Sequence, residues 1–191
     1  MEDGYVTVSR LNGSEDYPCD CIFMAAMNPC RCGFFPDRNR CRCTMGEIHR
    51  YLDKVSEPLL DRMDIGVELK VPAFGLYERS GETSAMIRER VEKTMAVQRE
   101  RYSAETYSYN GELPIRDMEK YCPLGKEEMD FLRDFFEEEE CSMRRLMRII
   151  RVARTIADRD GEKDISSDHI ALAISLRSIN KKYWGGEYYG Y

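Results

Sequence analysis

Two cysteine pairs are the part of the sequence whose residue types indicate chemistry most directly. Cys30-x-Cys32 and Cys41-x-Cys43 lie in residues 30–43, a stretch rich in arginine, glycine and proline that is predicted to be a loop insertion. Four thiolates suit tetrahedral zinc, and neighbouring cations favour the deprotonated thiol. We therefore expect Cys30, Cys32, Cys41 and Cys43 to hold a structural Zn²⁺ ion. Free thiols and adventitious disulfides are the alternatives.

Asn28 is a candidate for phosphate chemistry because of what precedes it. The continuous apolar run over residues 21–27 predicts a strand covered on both faces, and Pro29 ends that strand abruptly. An amide at the carboxyl end of a strand can hydrogen-bond a phosphate oxygen and an attacking water together. A loop asparagine bonded to its own backbone is the better explanation of this position taken alone.

Arg62 stands between Asp61 and Asp64, after a helix predicted over residues 45–55 and before a strand predicted over residues 65–71. An arginine held at a surface in this way can stabilise charge on a phosphoryl group, usually across a subunit boundary. A local Asp–Arg ion pair explains the residue equally well.

Arg144 lies in the first turn of a helix that Ser142 is predicted to cap. Arg144, Arg148 and Arg151 follow a spacing that places them on one face, where amides, dipole and cations could meet an anion. Residues 126–140 are strongly acidic and residues 142–159 strongly basic, so two helix faces that attract each other are the favoured explanation from charge alone.

The elements that carry these residues predict an α/β part followed by an all-α part. A strand over residues 5–9, the strands and helix named above and the cysteine insertion make a piece of an α/β layer within residues 1–75. Helices are predicted over 84–102, 125–137 and 142–160, and a last one begins at Ser166 or Ser167, which gives a helical domain over residues 80–179. Residues 180–191 are predicted to be a flexible tail.

The order of these motifs resembles the AAA+ ATPases and, more narrowly, the magnesium-chelatase-like proteins of the bacterial competence (ComM) type. The resemblance spans about residues 2–178, and it is closest at residues 25–33 (Ala-Ala-Met-Asn-Pro-Cys-Arg-Cys-Gly), 41–43 (Cys-Arg-Cys) and 148–158 (Arg-Ile-Ile-Arg-Val-Ala-Arg-Thr-Ile-Ala-Asp). It implies the C-terminal part of an AAA+ αβα core followed by a helical lid domain. It also implies that Asn28 is sensor 1, Arg62 the arginine finger and Arg144 the sensor 2 arginine, with Arg145 a competitor for the last role.

The sequence contains neither a Walker A motif nor an apolar strand ending in Asp-Glu for Walker B, since its one Gly-Lys pair, Gly125-Lys126, precedes Glu127. We therefore expect a downstream part of a longer ATPase that is inactive alone. By the resemblance, the intact protein binds ATP and Mg²⁺, forms a ring, expected to be a hexamer, and drives branch migration of DNA. A magnesium chelatase ATPase subunit and a stand-alone zinc-stabilised interaction module are the alternatives.

Composition and charge narrow the classes of protein to which the chain can belong. The chain has 191 residues, of which 42% are hydrophobic and 34% charged, so a core can form beneath a highly charged surface. The formal net charge of -6 argues against a uniformly basic nucleic-acid surface. No apolar run approaches the ~20 residues that cross a bilayer, and the first residues lack the features of a signal peptide. We expect a cytoplasmic protein with no membrane partner.

Overall fold

A computed structural model describes residues 4–10, 13–19, 21–69, 81–139 and 141–184, without the side chain of residue 180. The chain divides into two compact units, residues 1–51 and residues 52–191. Each unit is described separately below.

The first unit begins with a β-hairpin. Strand β1 (Tyr5–Arg10) pairs antiparallel with β2 (Gly13–Pro18), with Tyr5 opposite Pro18 and Arg10 opposite Gly13. The predicted strand over residues 5–9 is therefore confirmed. Every residue of both strands is exposed, which leaves both faces of this ribbon open to solvent.

The strand predicted over residues 21–27 is wrong for this chain. Residues 21–28 form neither strand nor helix, and their apolar side chains are open to solvent, with Ile22 91% and Met24 88% exposed. A buried strand needs neighbouring strands for its backbone groups and helices over its faces. Apolar composition alone does not supply those partners. Asn28 consequently follows an irregular segment rather than the end of a strand.

Helix α1 (Met45–Leu52) follows the cysteine-rich loop and is shorter than the predicted 45–55. Thr44 and Glu47 start it reciprocally: the Thr44 amide donates to Glu47 Oε2 at 2.8 Å, and the Glu47 amide donates to Thr44 Oγ1 at 3.3 Å. This exchange satisfies amides that have no partner within the helix. The buried side chains of the first unit are Cys30, Phe35, Cys41 and Ile48.

The second unit is helical. Its helices are α2 (Glu57–Arg62), α3 (Ser84–Arg101), α4 (Met118–Tyr121), α5 (Lys126–Glu138), α6 (Met143–Asp160), α7 (Ser167–Ser175) and α8 (Ser178–Trp184), with short 3₁₀ turns at Asn110–Glu112 and Ile115–Asp117. The helices predicted over 84–102, 125–137 and 142–160 are confirmed. Ser142 and Ser166 cap α6 and α7, and Gly161 ends α6 with a φ of 78°.

The strand predicted over residues 65–71 is also wrong as far as the structure describes it. Residues 65–69 form no strand, and residues 70 and 71 lie outside the described residues. Among the described residues the protein is mostly helical, with one two-stranded sheet.

The core of the second unit lies between α5, α6 and α7. Leu132, Ile149, Ala153, Ile170 and Ala173 are each at most 3% exposed and belong to one apolar cluster. Ile87 and Val91 in the N-terminal half of α3 lie outside this core and are 43% and 47% exposed. Only the C-terminal end of α3 contributes buried residues, Gln98 within the helix and Tyr102 directly after it.

The predicted flexible tail does not begin at residue 180. Helix α8 continues to Trp184, Tyr183 is 6% exposed, and the Trp184 indole N–H donates to the carbonyl of Leu52 at 3.0 Å. The rest of the predicted tail, residues 185–191, lies outside the described residues. No helix in the described part of the chain is both long and apolar enough to span a membrane.

Candidate metal centre and arginine sites

The four predicted cysteine ligands come together in the first unit. Their sulfur atoms all lie within 4.8 Å of one another. Cys30 Sγ is 3.4 Å from Cys32 Sγ and 3.8 Å from Cys41 Sγ, and Cys32 Sγ is 3.5 Å from Cys41 Sγ. A tetrahedron with Zn–S bonds of ~2.3 Å has sulfur–sulfur edges of about 3.8 Å. The cluster therefore has the donor set and the spacing of a closed four-cysteine metal centre.

Local backbone geometry builds this cluster. The Gly33 amide donates to the Cys30 carbonyl at 3.1 Å, and Gly33 adopts a φ of 83°, which an L side chain rarely adopts. The turn brings the Phe35 amide within 3.4 Å of Cys30 Sγ, to which it donates. The second pair follows another turn, in which the Cys41 amide donates to the Asp37 carbonyl at 2.7 Å.

The thiols have unequal proton affinities because they are crowded and unequally solvated. A hydrogen bond from the Phe34 backbone amide is the main cause that lowers the pKa of Cys32 to about 6. Burial raises the pKa of Cys41 to about 12, and its hydrogen bonds to Cys32 and Cys30 act in the same direction. A divalent cation among the sulfurs would favour the thiolate at every position.

Arginines surround the cysteine loop and stack on its aromatic rings. The guanidinium carbon of Arg40 lies 4.1 Å from the centroid of Phe34, and that of Arg38 lies 5.1 Å from the centroid of Phe35. Arg38 also donates to the Cys43 carbonyl at 3.2 Å. These contacts fix the direction of two cations next to the cysteine cluster.

Asn28, the predicted sensor 1, is exposed and lies beside the same loop. A Cβ atom at Gly33 would be 3.8 Å from both Cγ and Nδ2 of Asn28, which is ordinary contact distance. The side-chain amide of Asn28 is therefore adjacent to the Cys30–Gly33 turn in the first unit.

Arg62, the predicted arginine finger, is the last residue of α2 in the second unit. Pro58 at the start of this helix suits its first turn, where a missing backbone N–H costs nothing. Arg62 Nη1 donates to the Pro58 carbonyl at 2.8 Å, so the side chain is folded back along its own helix.

Two arginines from elsewhere in the second unit hold the end of α2. Arg148 on α6 donates from Nη1 to the Arg62 carbonyl at 3.2 Å and to Asp64 Oδ1 at 2.7 Å. Arg177 follows α7, is 2% exposed, and donates to the carbonyls of Met63 and, at 3.2 Å, Asp61. The last carbonyls of a helix lack partners within it, and its C-terminal end favours cations. Arg148 and Arg177 meet both requirements for α2.

The segment after α2 is fixed to the same helices. The Gly66 amide donates to the Leu176 carbonyl at 2.7 Å. Glu68 accepts from Lys182 Nζ at 2.5 Å and from the Tyr183 hydroxyl at 2.8 Å. Residues 61–68 therefore bind along α6, the α7–α8 connection and α8.

Arg144, the predicted sensor 2 arginine, is exposed in the first turn of α6. Its neighbour Arg145 lies with its guanidinium 5.8 Å from the centroid of Phe135 on α5. Arg148 and Arg151 share a face with Arg144 as predicted, but both contact protein groups. Arg151 donates to the Leu113 carbonyl at 2.6 Å, and Arg148 holds the end of α2.

The C-terminal part of α6 carries a buried polar network. Asp158 is 4% exposed and accepts bonds from Arg101, Asn110 and Arg154. Burial would raise its pKa, but the hydrogen bonds of Arg101 and Asn110 and the charge of Arg154 outweigh burial and hold the pKa of Asp158 below its ordinary value. Arg154 also donates to the carbonyls of residues 162 and 163, both at 2.7 Å.

Sequence reasoning missed the structural roles of Arg177 and His169. The position of Arg177 directly after a predicted helix was the available signal, but its acceptors lie on a helix that periodicity did not predict. His169 is 9% exposed. Its Nδ1 accepts from the Ser166 amide at 3.0 Å, which completes a capping box at the start of α7.

Comparisons with known proteins define the family. Residues 1–75 match the family profile of magnesium chelatase, subunit ChlI, and residues 81–177 match that of the C-terminal part of the same subunit. The chain therefore belongs to the magnesium chelatase family, which confirms the resemblance found in the sequence.

The chain is also similar to three curated proteins. It is 34% identical over 182 residues to Competence protein ComM of Haemophilus influenzae, covering 94% of this chain and 35% of that protein. It is 34% identical over 184 residues to YifB of Salmonella typhimurium, covering 95% of this chain and 35% of YifB. It is 30% identical over 183 residues to Rv2897c of Mycobacterium tuberculosis, covering 95% and 36%. The chain thus spans about a third of the length of these relatives.

Proposed function

We propose that this chain is the downstream part of a ring-forming AAA+ ATPase that acts as a DNA motor in recombination or natural transformation. The observation that carries the proposal is the 34% identity to Competence protein ComM over 94% of the chain. In this proposal residues 1–75 complete an AAA+ core and residues 80–179 form its helical lid. The exposed apolar residues 21–27 would then gain strand partners from preceding parts of the protein.

Three residues respond to nucleotide in the proposed mechanism. Asn28 acts as sensor 1 and orients water against the terminal phosphate of its own subunit. Arg144 acts as sensor 2 from the first turn of α6 toward the same nucleotide. Arg62 acts as the arginine finger toward the nucleotide of the neighbouring subunit, where its guanidinium stabilises charge on the transferring phosphoryl group. Hydrolysis therefore requires a ring, for which we propose a hexamer.

ATP and Mg²⁺ belong to the intact protein in this proposal. Phosphoryl transfer requires a lysine and backbone amides around the phosphates and a carboxylate that holds Mg²⁺. The 191 residues contain neither the Walker A motif, which supplies the lysine and the amides, nor the Walker B motif, which supplies the carboxylate. We therefore expect the chain alone to hydrolyse no ATP.

The cysteine centre is proposed to hold a structural Zn²⁺ ion. Cys30, Cys32, Cys41 and Cys43 offer the donor set, and their sulfur separations fit a tetrahedral ion. Bound zinc would cross-link the two turns of the loop. The cross-linked loop would then hold four arginines at its surface, Arg31, Arg38, Arg40 and Arg42. Clustered cations of this kind can contact DNA phosphates.

DNA-stimulated ATP hydrolysis by the full gene product tests this function. The test compares the wild type with Arg62→Ala and with the matched control Arg133→Ala, whose side chain is 61% exposed and pairs with Asp130 on α5. We expect hydrolysis that DNA stimulates. Arg62→Ala should lower kcat by roughly 10³-fold or more while the ring still assembles, as for other arginine fingers. Arg133→Ala should hydrolyse ATP as the wild type does.

Two results would redirect the proposal. A chelatase subunit would be identified by two observations together: ATP hydrolysis that DNA leaves unchanged, and ATP-dependent insertion of Mg²⁺ into a porphyrin. Both matched family profiles are named for magnesium chelatase, so this alternative is tested directly. A full gene product that neither binds nor hydrolyses ATP would identify an interaction module stabilised by its metal.

A further inference from the structure

We infer that Arg148 and Arg177 are positioning residues for Arg62, and that α6 thereby links the residues that respond to the two nucleotides on either side of one subunit. The inference rests on the proposed role of Arg62 as an arginine finger. Neither the sequence positions of Arg148 and Arg177 nor the family match specifies that these residues position Arg62.

The C-terminal end of α2 is held by several hydrogen bonds from arginine side chains. Three consecutive carbonyls, those of Asp61, Arg62 and Met63, accept hydrogen bonds from only two guanidinium groups. Arg177 is buried to 2% exposure, and the side chain of Arg148 is 13% exposed. A guanidinium donates in a rigid planar fork, so these bonds fix the direction of the helix end as well as its position.

Arg148 lies on the same helix as Arg144. Helix α6 runs without interruption over Met143–Asp160, and four residues along it correspond to about 6 Å of axial rise. A shift of α6 that follows contact between Arg144 and its own nucleotide would therefore move the Arg62 backbone through Arg148. Residues 66 and 68 are bonded to Leu176, Lys182 and Tyr183, so the segment after α2 is also attached to the α7–α8 connection and to α8.

A positioning role for Arg148 and a purely stabilising role affect different nucleotide sites of the ring. A residue that only stabilises the fold affects both nucleotide sites that its subunit touches. A residue that positions Arg62 affects only the site shared with the neighbour. Mixed rings distinguish these two cases, because a heterologous ring interface takes different residues from each subunit.

The experiment mixes inactive variants of the full gene product and measures ATP hydrolysis. Arg148→Gln is mixed at equal concentration with Asn28→Ala and, separately, with Arg62→Ala. The Asn28→Ala and Arg62→Ala mixture is the reference for site sharing, and Arg133→Gln on α5 is the matched control for loss of an arginine. If Arg148 positions Arg62, activity returns with Asn28→Ala and does not return with Arg62→Ala.

The opposite pattern, in which activity returns with Arg62→Ala alone, would place Arg148 at its own subunit's nucleotide and overturn the inference. Recovery with neither variant, in a ring that assembles normally, would also overturn it. If the reference mixture itself recovers nothing, the proposed role of Arg62 fails, and this failure is distinct from that of Arg148.

Amide exchange and a conservative variant keep the inference testable if Arg148→Gln is unstable. Arg148→Lys retains the charge but replaces the rigid planar guanidinium with a tetrahedral ammonium on a flexible stem, so the same mixtures should show the same pattern with a smaller defect. In the full gene product we expect both variants to speed hydrogen exchange at the amides of Met63 and Gly66, which donate to Leu60 and Leu176. Unchanged exchange at these amides in both variants would contradict the inference.

Discussion

Arg148 donates a hydrogen bond to the backbone carbonyl of Arg62 at 3.2 Å across 86 residues of sequence. The bond joins the arginine-rich helix α6 to the residue proposed to act on a neighbouring nucleotide. It also shows that part of the basic face of α6 binds to the protein itself.

Gly66→Ala should destabilise the second unit because a Cβ atom at this position would lie 2.3 Å from Cγ2 of Ile179. Overpacking of this kind typically costs about 1–3 kcal/mol. Urea denaturation of the chain measures the change. Gly111→Ala is the control, since a Cβ there would meet nothing within 4 Å. Equal free energies of unfolding for the two variants would show that residues 61–68 do not pack against α8.

Cys30→Ser and Cys41→Ser should each abolish binding of the single zinc ion expected per chain, because both thiols are buried within the cluster. Metal analysis of purified protein measures the stoichiometry. Cys21→Ser is a matched control, as Cys19-x-Cys21 has the same spacing but lies outside the cluster. Retention of zinc by Cys30→Ser, or its loss from Cys21→Ser, would show that the ligands have been assigned wrongly.

Zinc affinity should rise with pH. Burial keeps the pKa of Cys41 at about 12 in the absence of metal, so the thiol must lose a proton when zinc binds. Calorimetric titration in buffers of different ionisation enthalpy should therefore show proton release, and affinity should weaken as the pH falls. Binding that releases no proton between pH 6 and pH 8 would exclude coordination by these thiols as thiolates.

Asp158→Asn should destabilise the helical domain by about 3–5 kcal/mol, because it leaves Arg101 and Arg154 with an uncompensated buried charge. Asp130→Asn is the control, since Asp130 forms an exposed pair with Arg133 and such pairs contribute little. Thermal denaturation of both variants measures the difference. An equally small loss of stability in both variants would mean that the network around Asp158 contributes no more to the free energy of unfolding than an exposed ion pair does.

Acid should weaken the domain through the same residue. The pKa of Asp158 is lower in the folded protein than its ordinary value, so its contribution is complete above an unfolded pKa of about 4 and is lost as the pH falls through the lower folded value. The urea midpoint should therefore drop below about pH 4 in the wild type. In Asp158→Asn this acid-dependent loss should be smaller, and an identical pH profile in both proteins would contradict the assignment.

Glu68→Ala should loosen α8, because Glu68 accepts from both Lys182 and Tyr183 next to the only tryptophan of the chain. Trp184 is partly buried and bonded to the Leu52 carbonyl, so loosening should expose its indole and shift its fluorescence to longer wavelength. Glu82→Ala on the exposed Arg90 pair is the control. Emission at the wild-type wavelength in Glu68→Ala would mean that α8 stays docked without this contact.

The sequence predicted the features that depend on local geometry. Ser142 and Gly161 mark the ends of α6 because a cap and a left-handed residue act on the adjacent turn. The cysteine cluster was predictable for the same reason, since two tight turns within residues 30–43 bring its sulfurs together.

Features that depend on distant partners were not predictable in this way. Residues 21–27 have the composition of a buried strand, but their structure depends on whether neighbouring strands are present. The spacing of Arg144, Arg148 and Arg151 defined a helix face correctly without identifying what that face contacts. For Arg148 the acceptor is a carbonyl 86 residues away, and no local pattern indicates it.

Mixed-ring ATP hydrolysis by Asn28→Ala and Arg62→Ala tests most directly whether Arg62 acts on a neighbouring subunit. Each variant should be inactive alone in the full gene product. In an equal mixture about one-quarter of the interfaces should combine an intact Asn28 with an intact Arg62 from the adjacent subunit, since head-to-tail interfaces assemble at random. We predict recovery of hydrolysis to about that fraction of wild type. A mixture that stays as inactive as its two components would contradict the account.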